Sequence, residues 1–291
     1  MKKILLSVVL FLPVALVFSQ SLLWKVTGKD LQGTSYLYGT IHIQDQRVFN
    51  FDTTVLTALY SCDAFAGELL LDSIDPQAIK ECTYLPKGKT ISNMMSEKDF
   101  KILDSLCKKN IGASAYLLNT MKPFFVMSAF QQASFAQDQE EALDLFFLKK
   151  ARETRKRCYG LETFQIQMGA IDAISLKEQV KMLVDALENQ GDTTQNAETI
   201  ETQSQEMLQI YLSADLDKML EMSADASMPK KFNKEFLVKR NAGMVKEFVR
   251  IAQVHSLFCG VGAGHLGGKK GLINLLRKKG YTVEPVMFNW K

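Results

Sequence analysis

Strand-like segments lie at both ends of the 291-residue chain, and helical segments fill its middle. Near the N-terminus, "LLWKVTG" and "TSYLYGTIHI" flank the turn-rich "KDLQG" and predict a β-hairpin. Near the C-terminus, "HSLFCGVG", "GLINLLRKKG" and "YTVEPVMF" predict a strand, a helix and a strand. Because the strands of either end alone would make a sheet too small to be covered, we expect both ends to form one central mixed sheet of an α/β protein.

Two further strands are predicted between these ends. The segment "DAFAGELLLD" is apolar at nearly every residue, which is typical of a strand covered on both faces, and "CYGLE" predicts a shorter strand. Helical periodicity dominates residues 76–153 and 172–253. We therefore expect a single domain over residues 20–291 with two large helical insertions.

The first twenty residues, "MKKILLSVVLFLPVALVFSQ", have the features of a secretory leader. Two lysines precede an apolar run, and Val17 and Ser19 suit signal peptidase. The run is short for a membrane-spanning helix, which needs ~20 apolar residues. We predict that residues 1–19 are removed and that the protein is periplasmic or secreted, without a transmembrane anchor after cleavage; an uncleaved anchor is the alternative.

The charge balance argues against a nucleic-acid partner. Removing residues 1–19, which contain two lysines, leaves a net charge of (35 − 2) − 32 = +1. The partner expected for this chain is a peptide or small-molecule substrate. Cysteine usage says less: no C-x-x-C motif occurs, which argues against a structural zinc site, and Cys82 could pair with Cys107.

The stretch "GAGHLG", Gly262 to Gly267, fits the G-x-G-x-x-G fingerprint of dinucleotide-binding sites. It follows a predicted strand and precedes a predicted helix, as that fingerprint requires. Only 24 residues remain after Gly267, too few for the βαβαβ unit of such a site, and the large His265 interrupts the loop. We therefore favour a role for His265 over a dinucleotide cofactor.

Two of the three histidines stand in the same setting. His42 in "YGTIH" and His265 in "GAGH" each follow an apolar strand in the form G-x-x-H, whereas His255 begins its strand. Ligands in α/β proteins usually bind at strand ends, and a glycine there allows another group to approach closely. A lone histidine is more often an interior residue. The matching pair favours a shared site, and His255 is interpreted as structural.

Two glutamates are placed near the same strand ends. Glu68 lies inside the apolar segment "FAGELLLD", and a buried carboxylate needs a cation, which could be Arg240, a lysine or a metal ion. Glu162 lies in "YGLETF", where a strand gives way to a helix, and it either serves the site or caps that helix.

Two neutral imidazoles and a carboxylate form a common ligand set for a catalytic divalent metal. We therefore hypothesise that His42, Glu68 and His265 are metal ligands and that Glu162 is a general base. The H-E-x-x-H and G-x-S-x-G motifs are absent from the chain. A hydrolase of this sequence would therefore have its ligands scattered along the chain.

Five segments in this order, "SYLYGTIH", "AGELLLD", "GLET", "VKRN" and "GVGAGHLGG", resemble the TraB/GumN family, which has TraB-, PrgY- and Tiki-like branches. The resemblance covers essentially the whole chain after the leader. It implies an α/β fold similar to the erythromycin-esterase and ChaN-like proteins. It also implies a metal-dependent peptidase or related hydrolase that uses a divalent transition metal such as Mn, Co or Zn.

The resemblance assigns positions residue by residue. Gln165 and Gln167 replace acids that often follow "GLET" in the family, which weakens an acidic role there. The positions that match the family's histidines, its acids and its "RN" pair are His42, His265, Glu68, Glu162, Asp144, Arg240 and Asn241.

The leading hypothesis is an exported metal-dependent hydrolase acting on peptides. In it, Arg240 holds an anionic substrate group or the developing oxyanion, with pairing to Glu68 as its structural alternative. A second hypothesis is a non-catalytic protein in which the histidines hold haem or iron, as the ChaN-like similarity implies. A third is a metal-independent esterase-like hydrolase with His42 as general base.

Overall fold

The structure is a computed structural model that describes residues 21–191, 200–223 and 234–291. The predicted leader, residues 1–19, lies outside these residues. Six strands form one mixed sheet in the order β4-β3-β5-β2-β1-β6, which confirms that both chain ends share a central sheet. The strands are β1 (Leu23–Thr27), β2 (Ser35–Thr40), β3 (Ala64–Gly67), β4 (Arg157–Gly160), β5 (Leu257–Gly262) and β6 (Thr282–Val286).

Four neighbouring strands of this sheet are parallel. Strands β4, β3, β5 and β2 run in one direction, and β1 pairs antiparallel with both β2 and β6. The predicted N-terminal hairpin is the β1–β2 pair. At the end of β2, Thr40 is paired with Gly262 at the end of β5. The carboxyl ends of the four parallel strands therefore lie along one edge of the sheet.

Helices cover both faces of the sheet and form most of the chain between its ends. A π-helical turn, Lys234–Val238, directly precedes the long helix that carries Arg240. The α-helices of the described residues are α1 (Thr53–Ser61), α2 (Pro76–Thr83), α3 (Glu97–Asn110), α4 (Ala115–Leu118), α5 (Pro123–Ala133), α6 (Leu143–Glu153), α7 (Phe164–Asp172), α8 (Leu176–Gly191), α9 (Ile200–Leu212), α10 (Leu216–Ser223), α11 (Lys239–Ala252) and α12 (Leu272–Lys278).

Strand β5 lies in the interior of the sheet, between β3 and β2, and apolar side chains cover both of its faces. On one face, Phe258 packs with Tyr38 and with Phe147 of α6. On the other face, Val261 lies in a cluster with Phe248 of α11 and residues of α12. Burial of an apolar surface from both sides stabilises a strand strongly, and this explains the continuous apolar run of β5.

The helical middle of the chain has an apolar core of its own. Helices α3, α5 and α8 contribute Phe100, Val126 and Leu183 to a cluster separate from the sheet. The first predicted insertion, residues 76–153, extends as far as α6, yet α6 packs against β3, β4 and β5 and belongs to the sheet layer. The part with its own core is therefore shorter at this end than the helical periodicity indicates.

The apolar run "DAFAGELLLD" forms a shorter strand than its composition predicts. Strand β3 ends at Gly67, and a short 3-10 turn occupies Leu71–Ser73. Backbone hydrogen bonds from Leu161 to Gly67 and from Glu162 to Glu68 extend the contact with the β4 segment by one step, after which the chain leaves the sheet.

All five cysteines are free, so Cys82 and Cys107 are not bonded to each other. Within the described part of the chain, no helix combines the length and apolar character needed to cross a bilayer.

Phe147→Ala tests the aromatic layer under β5. Phe147 is fully buried and its ring contacts those of Tyr38, Phe51 and Phe258, so its truncation should lower the free energy of unfolding by about 3–5 kcal/mol. Chemical denaturation measures this loss. Leu117→Ala, at a residue that is 75% exposed, is the control and should change stability by less than about 0.5 kcal/mol. Equal effects of the two variants would contradict the packing described.

Candidate functional site

Four of the side chains singled out in the sequence follow the ends of the four parallel strands. Glu162 follows β4, Glu68 follows β3, His265 follows β5 and His42 follows β2. Since parallel strands end along one edge, residues separated by more than two hundred positions reach one region of the molecule.

Glu68 is a buried acid of this region, with 8% of its surface exposed. Its Oε1 accepts a hydrogen bond of 2.8 Å from the backbone N–H of Gly262. Its Oε2 accepts hydrogen bonds of 2.6 Å from Nη2 of Arg240 and 3.2 Å from Nε2 of Gln167. Burial acts to raise the pKa of Glu68, but the two histidines and Arg240 outweigh it and lower this pKa to about 2. Glu68 is therefore ionised at neutral pH.

Arg240 joins the two glutamates. It is 4% exposed, and its Nε lies 3.0 Å from each carboxylate oxygen of Glu162. Its Nη2 donates to both Glu162 and Glu68, and its Nη1 donates to the carbonyl of Phe236 at 3.0 Å. Burial and the charge of Glu68 raise the pKa of Glu162, while Arg240 opposes this shift. The pairing considered as the structural alternative for Arg240 is therefore present, and it includes a second carboxylate.

His265 is buried and held by Asn241. The side-chain Nδ2 of Asn241 donates to the carbonyl of Lys270 at 2.8 Å, so its Oδ1 faces Nδ1 of His265 and accepts the Nδ1 proton. Burial lowers the pKa of His265 to about 4, so the ring is neutral at pH 7. The lone pair is then on Nε2, which lies 3.6 Å from Oε1 of Glu68.

His42 has a different environment from His265. Its side chain is 55% exposed, and its Nδ1 lies 2.9 Å from Oδ1 of Asp144 in the first turn of α6. Loss of hydration acts to lower the pKa of His42, but the carboxylates of Asp144 and Glu68 raise it to about 9. Each histidine of the site thus has an oxygen partner near Nδ1, which orients the ring so that Nε2 points away from that partner.

Gly262 lies beside all three predicted ligands. A Cβ atom on this residue would lie 3.1 Å from Oε1 of Glu68, 3.8 Å from Cδ2 of His265 and 3.9 Å from Nε2 of His42. Only glycine leaves this space free. Gly39 has a related role, because a Cβ there would lie 2.9 Å from Leu266, next to His265.

The donor set suits a divalent transition metal in kind and in orientation. One carboxylate oxygen of Glu68, Nε2 of His42 and the ring carbon Cδ2 of His265 border the space beside Gly262, and both rings have oxygen partners near Nδ1. The 3.6 Å between Nε2 of His265 and Oε1 of Glu68 suits two ligands that each lie ~2 Å from one ion. Across residues 21–191, 200–223 and 234–291, however, no three such side chains are gathered closely enough to hold an ion. His42, the most exposed of the three, would have to approach.

The fingerprint "GAGHLG" does not form the loop of a dinucleotide site. Residues Ala263–His265 form a 3-10 turn, and α12 begins only at Leu272. His255, interpreted as structural, lies at the opposite end of β5, where its Nε2 is 2.9 Å from Arg157 and its ring stacks on Tyr159.

Two contacts of the site were not predicted from the sequence. Gln167 was noted only as a departure from the family pattern, yet its amide donates to Glu68. The sequence could have indicated that Gln167 lies near the site, because this residue is in the first turn of α7, the helix after β4, and such helices begin at the sheet edge where ligands bind. Phe236 precedes Arg240 by four residues, a spacing that places two side chains on one helix face.

Comparison with known proteins gives a family match over most of the chain. The TraB/PrgY/gumN family profile matches residues 22–285. Metalloprotease TIKI1 of Xenopus tropicalis is 22% identical over 90% of this chain and 61% of its own length, and TIKI1 of Homo sapiens is 22% identical over 91% and 61%. An uncharacterized protein of Treponema pallidum is 21% identical over 92% of the chain and 83% of its own length. The chain thus spans about three fifths of these TIKI1 proteins, and no solved structure matches it significantly.

Arg240→Met tests the buried ion-pair network. The change leaves two enclosed carboxylates without their shared cation, so we expect a loss of about 3–5 kcal/mol in the free energy of unfolding, measured by denaturant titration. Arg250→Met is a matched control on the same helix, because Arg250 pairs with Glu247 at the surface. That control should lose less than about 1 kcal/mol. A loss in Arg240→Met as small as that in Arg250→Met would show that the buried network is not needed for stability.

Proposed function

We propose a function for this chain from the premise that it belongs to the TraB/PrgY/gumN family: it is an exported metal-dependent hydrolase that acts on peptides. The observation that supports the proposal is that His42, His265 and Glu68 each have an atom within 4 Å of the position that a Cβ on Gly262 would occupy. Relatives named Metalloprotease TIKI1 support the reaction class, at 22% identity.

The three proposed ligands have suitable protonation states or can reach them. Glu68 is ionised and His265 is neutral at pH 7, whereas His42 must release a proton from Nε2 before it can donate a lone pair. Oδ1 of Asp144, 2.9 Å from Nδ1 of His42, favours a proton on Nδ1 and so leaves Nε2 as the donor to the metal. Asn241 does the same for His265. When bound, a divalent metal would supply Lewis acidity and lower the pKa of a water molecule.

Glu162 is the proposed general base, and Arg240 controls it. Both oxygens of Glu162 accept hydrogen bonds from Arg240, so Glu162 can take a proton only as that pairing loosens. The raised pKa of Glu162, caused first by burial, helps it to hold the proton that it accepts. As Arg240 turns from Glu162, its planar fork can donate to the oxyanion of the tetrahedral intermediate.

The metal content of purified variants tests this proposal. Wild type should contain one equivalent of a transition metal, and His42→Ala, His265→Ala and Glu68→Gln should each lose most of it, because each removes one donor. Elemental analysis measures the content, and circular dichroism checks the fold. His255→Ala removes a histidine distant from the site and should keep the metal. Unchanged metal in both His42→Ala and His265→Ala would overturn the ligand assignment.

The two rival functions predict other outcomes with the same protein. Chelation should abolish peptide hydrolysis if the proposal is right, and added Mn, Co or Zn should restore it. Full activity after exhaustive chelation would favour the metal-independent esterase-like hydrolase with His42 as base. A Soret band without hydrolysis would favour the haem- or iron-binding protein.

We also propose export through cleavage of residues 1–19. The leader features of the first twenty residues carry this part of the proposal. N-terminal sequencing of protein recovered from the periplasm or the medium should give a chain that begins at Gln20. Recovery of the uncleaved chain from the membrane fraction would contradict it.

A further inference from the structure

Phe236 contacts the guanidinium of Arg240 in two ways. It lies in the π-helical turn Lys234–Val238, and its carbonyl accepts a hydrogen bond of 3.0 Å from Nη1 of Arg240. The centre of its ring is 5.3 Å from Cζ of the same guanidinium, within the range of a cation–π contact. Single π-helical turns occur frequently at functional sites because the extra residue redirects the neighbouring side chains.

Phe236 also contacts the helical middle of the chain. Its ring centre lies 5.8 Å from that of Phe124, at an interplanar angle of 42°. Phe124 belongs to α5, whose Val126 and Phe130 are part of the separate core described above. The backbone N–H of Phe124 also donates to Gln179 of α8 at 3.3 Å. One aromatic side chain therefore connects this core with Arg240.

The orientation of Arg240 decides how both glutamates are held. An arginine side chain has many rotamers, and a planar guanidinium reaches two carboxylates at once only in a narrow range of orientations. Glu162 and Glu68 fix its Nε and Nη2. The ring and the carbonyl of Phe236 contact its face and its remaining nitrogen, Nη1. Without the ring, the guanidinium loses a contact that only an aromatic face provides.

We propose that Phe236 is a positioning residue that holds Arg240 across Glu68 and Glu162 and couples the packing of α5 to the candidate site. Packing of Phe124 against Phe236 keeps the ring against the guanidinium, and the guanidinium in turn keeps Oε2 of Glu68 occupied. Oε1 of Glu68 then stays directed toward the space beside Gly262. The consequence for hydrolysis rests on the proposed function; the positioning of Arg240 does not.

Hydrogen exchange at Nε of Arg240 tests the inference without any metal. This proton is buried and bonded to Glu162, so in metal-free protein labelled with 15N-arginine it should exchange slowly. Phe236→Leu keeps the backbone carbonyl and apolar bulk but removes the ring, and it should speed exchange about 2- to 30-fold, the change that corresponds to a cation–π contact. Phe236→Tyr keeps the ring and should exchange like wild type. Phe124→Leu should change exchange in the same direction as Phe236→Leu, and the double variant should add little to Phe236→Leu alone.

The control separates positioning from general loosening of the fold. Phe49→Leu disrupts another aromatic pair, with ring centres 5.4 Å apart, and should leave exchange at Arg240 unchanged. Unchanged exchange in Phe236→Leu, equal exchange in Phe236→Leu and Phe236→Tyr, or equal acceleration by Phe49→Leu would each overturn the inference. Titration of the same variants with Mn²⁺ reports separately on the proposed function, because a wild type that binds no metal would defeat that function and leave the exchange test intact.

Discussion

The interaction on which the site depends is the pairing of Arg240 with both Glu68 and Glu162. Charges removed from water cost several kcal/mol each unless oppositely charged and hydrogen-bonding groups compensate them. Here one guanidinium serves two carboxylates, one after β3 and one after β4, and fixes the long helix α11 against the carboxyl edge of the sheet. The same helix supplies Asn241, which holds His265. Two neighbouring residues of α11, Arg240 and Asn241, therefore position two glutamates and a histidine that lie far apart in the chain.

The sheet makes this arrangement possible through its parallel strands. Four strand ends deliver four side chains of the candidate site to one edge, and Gly262 leaves a space that three of them border. Apolar packing on both faces of β5 keeps that edge in place. The sheet thus determines where each side chain lies. The orientation and protonation of each histidine ring depend on its immediate partner, which is Asn241 for His265 and Asp144 for His42.

Much of the fold could be predicted from the sequence, because hydrophobic periodicity and turn residues are local features. The hairpin, the strand that precedes His265 and the sheet shared by both ends follow from them. The length of β3 does not, since it depends on tertiary contacts with the strands on both of its sides. The pairing of Glu68 with Arg240 was one alternative left open by the sequence. The contacts of Arg240 with Glu162 and of Gln167 with Glu68 do not follow from it, because they join residues 78 and 99 positions apart and depend on side-chain rotamers. The strand-end positions of the candidate ligands and the Glu68–Arg240 pair were accessible to sequence reasoning, whereas the pairing of Arg240 with a second carboxylate, Glu162, was not.

The central claim is that two histidines and one glutamate form a metal site beside Gly262. Anomalous scattering from crystals soaked in Mn²⁺ locates such an ion directly, independently of any assay of activity. The account predicts one strong anomalous peak within bonding distance of Nε2 of His42, Nε2 of His265 and Oε1 of Glu68. Absence of a peak at saturating Mn²⁺, or a peak held by other residues, would contradict it.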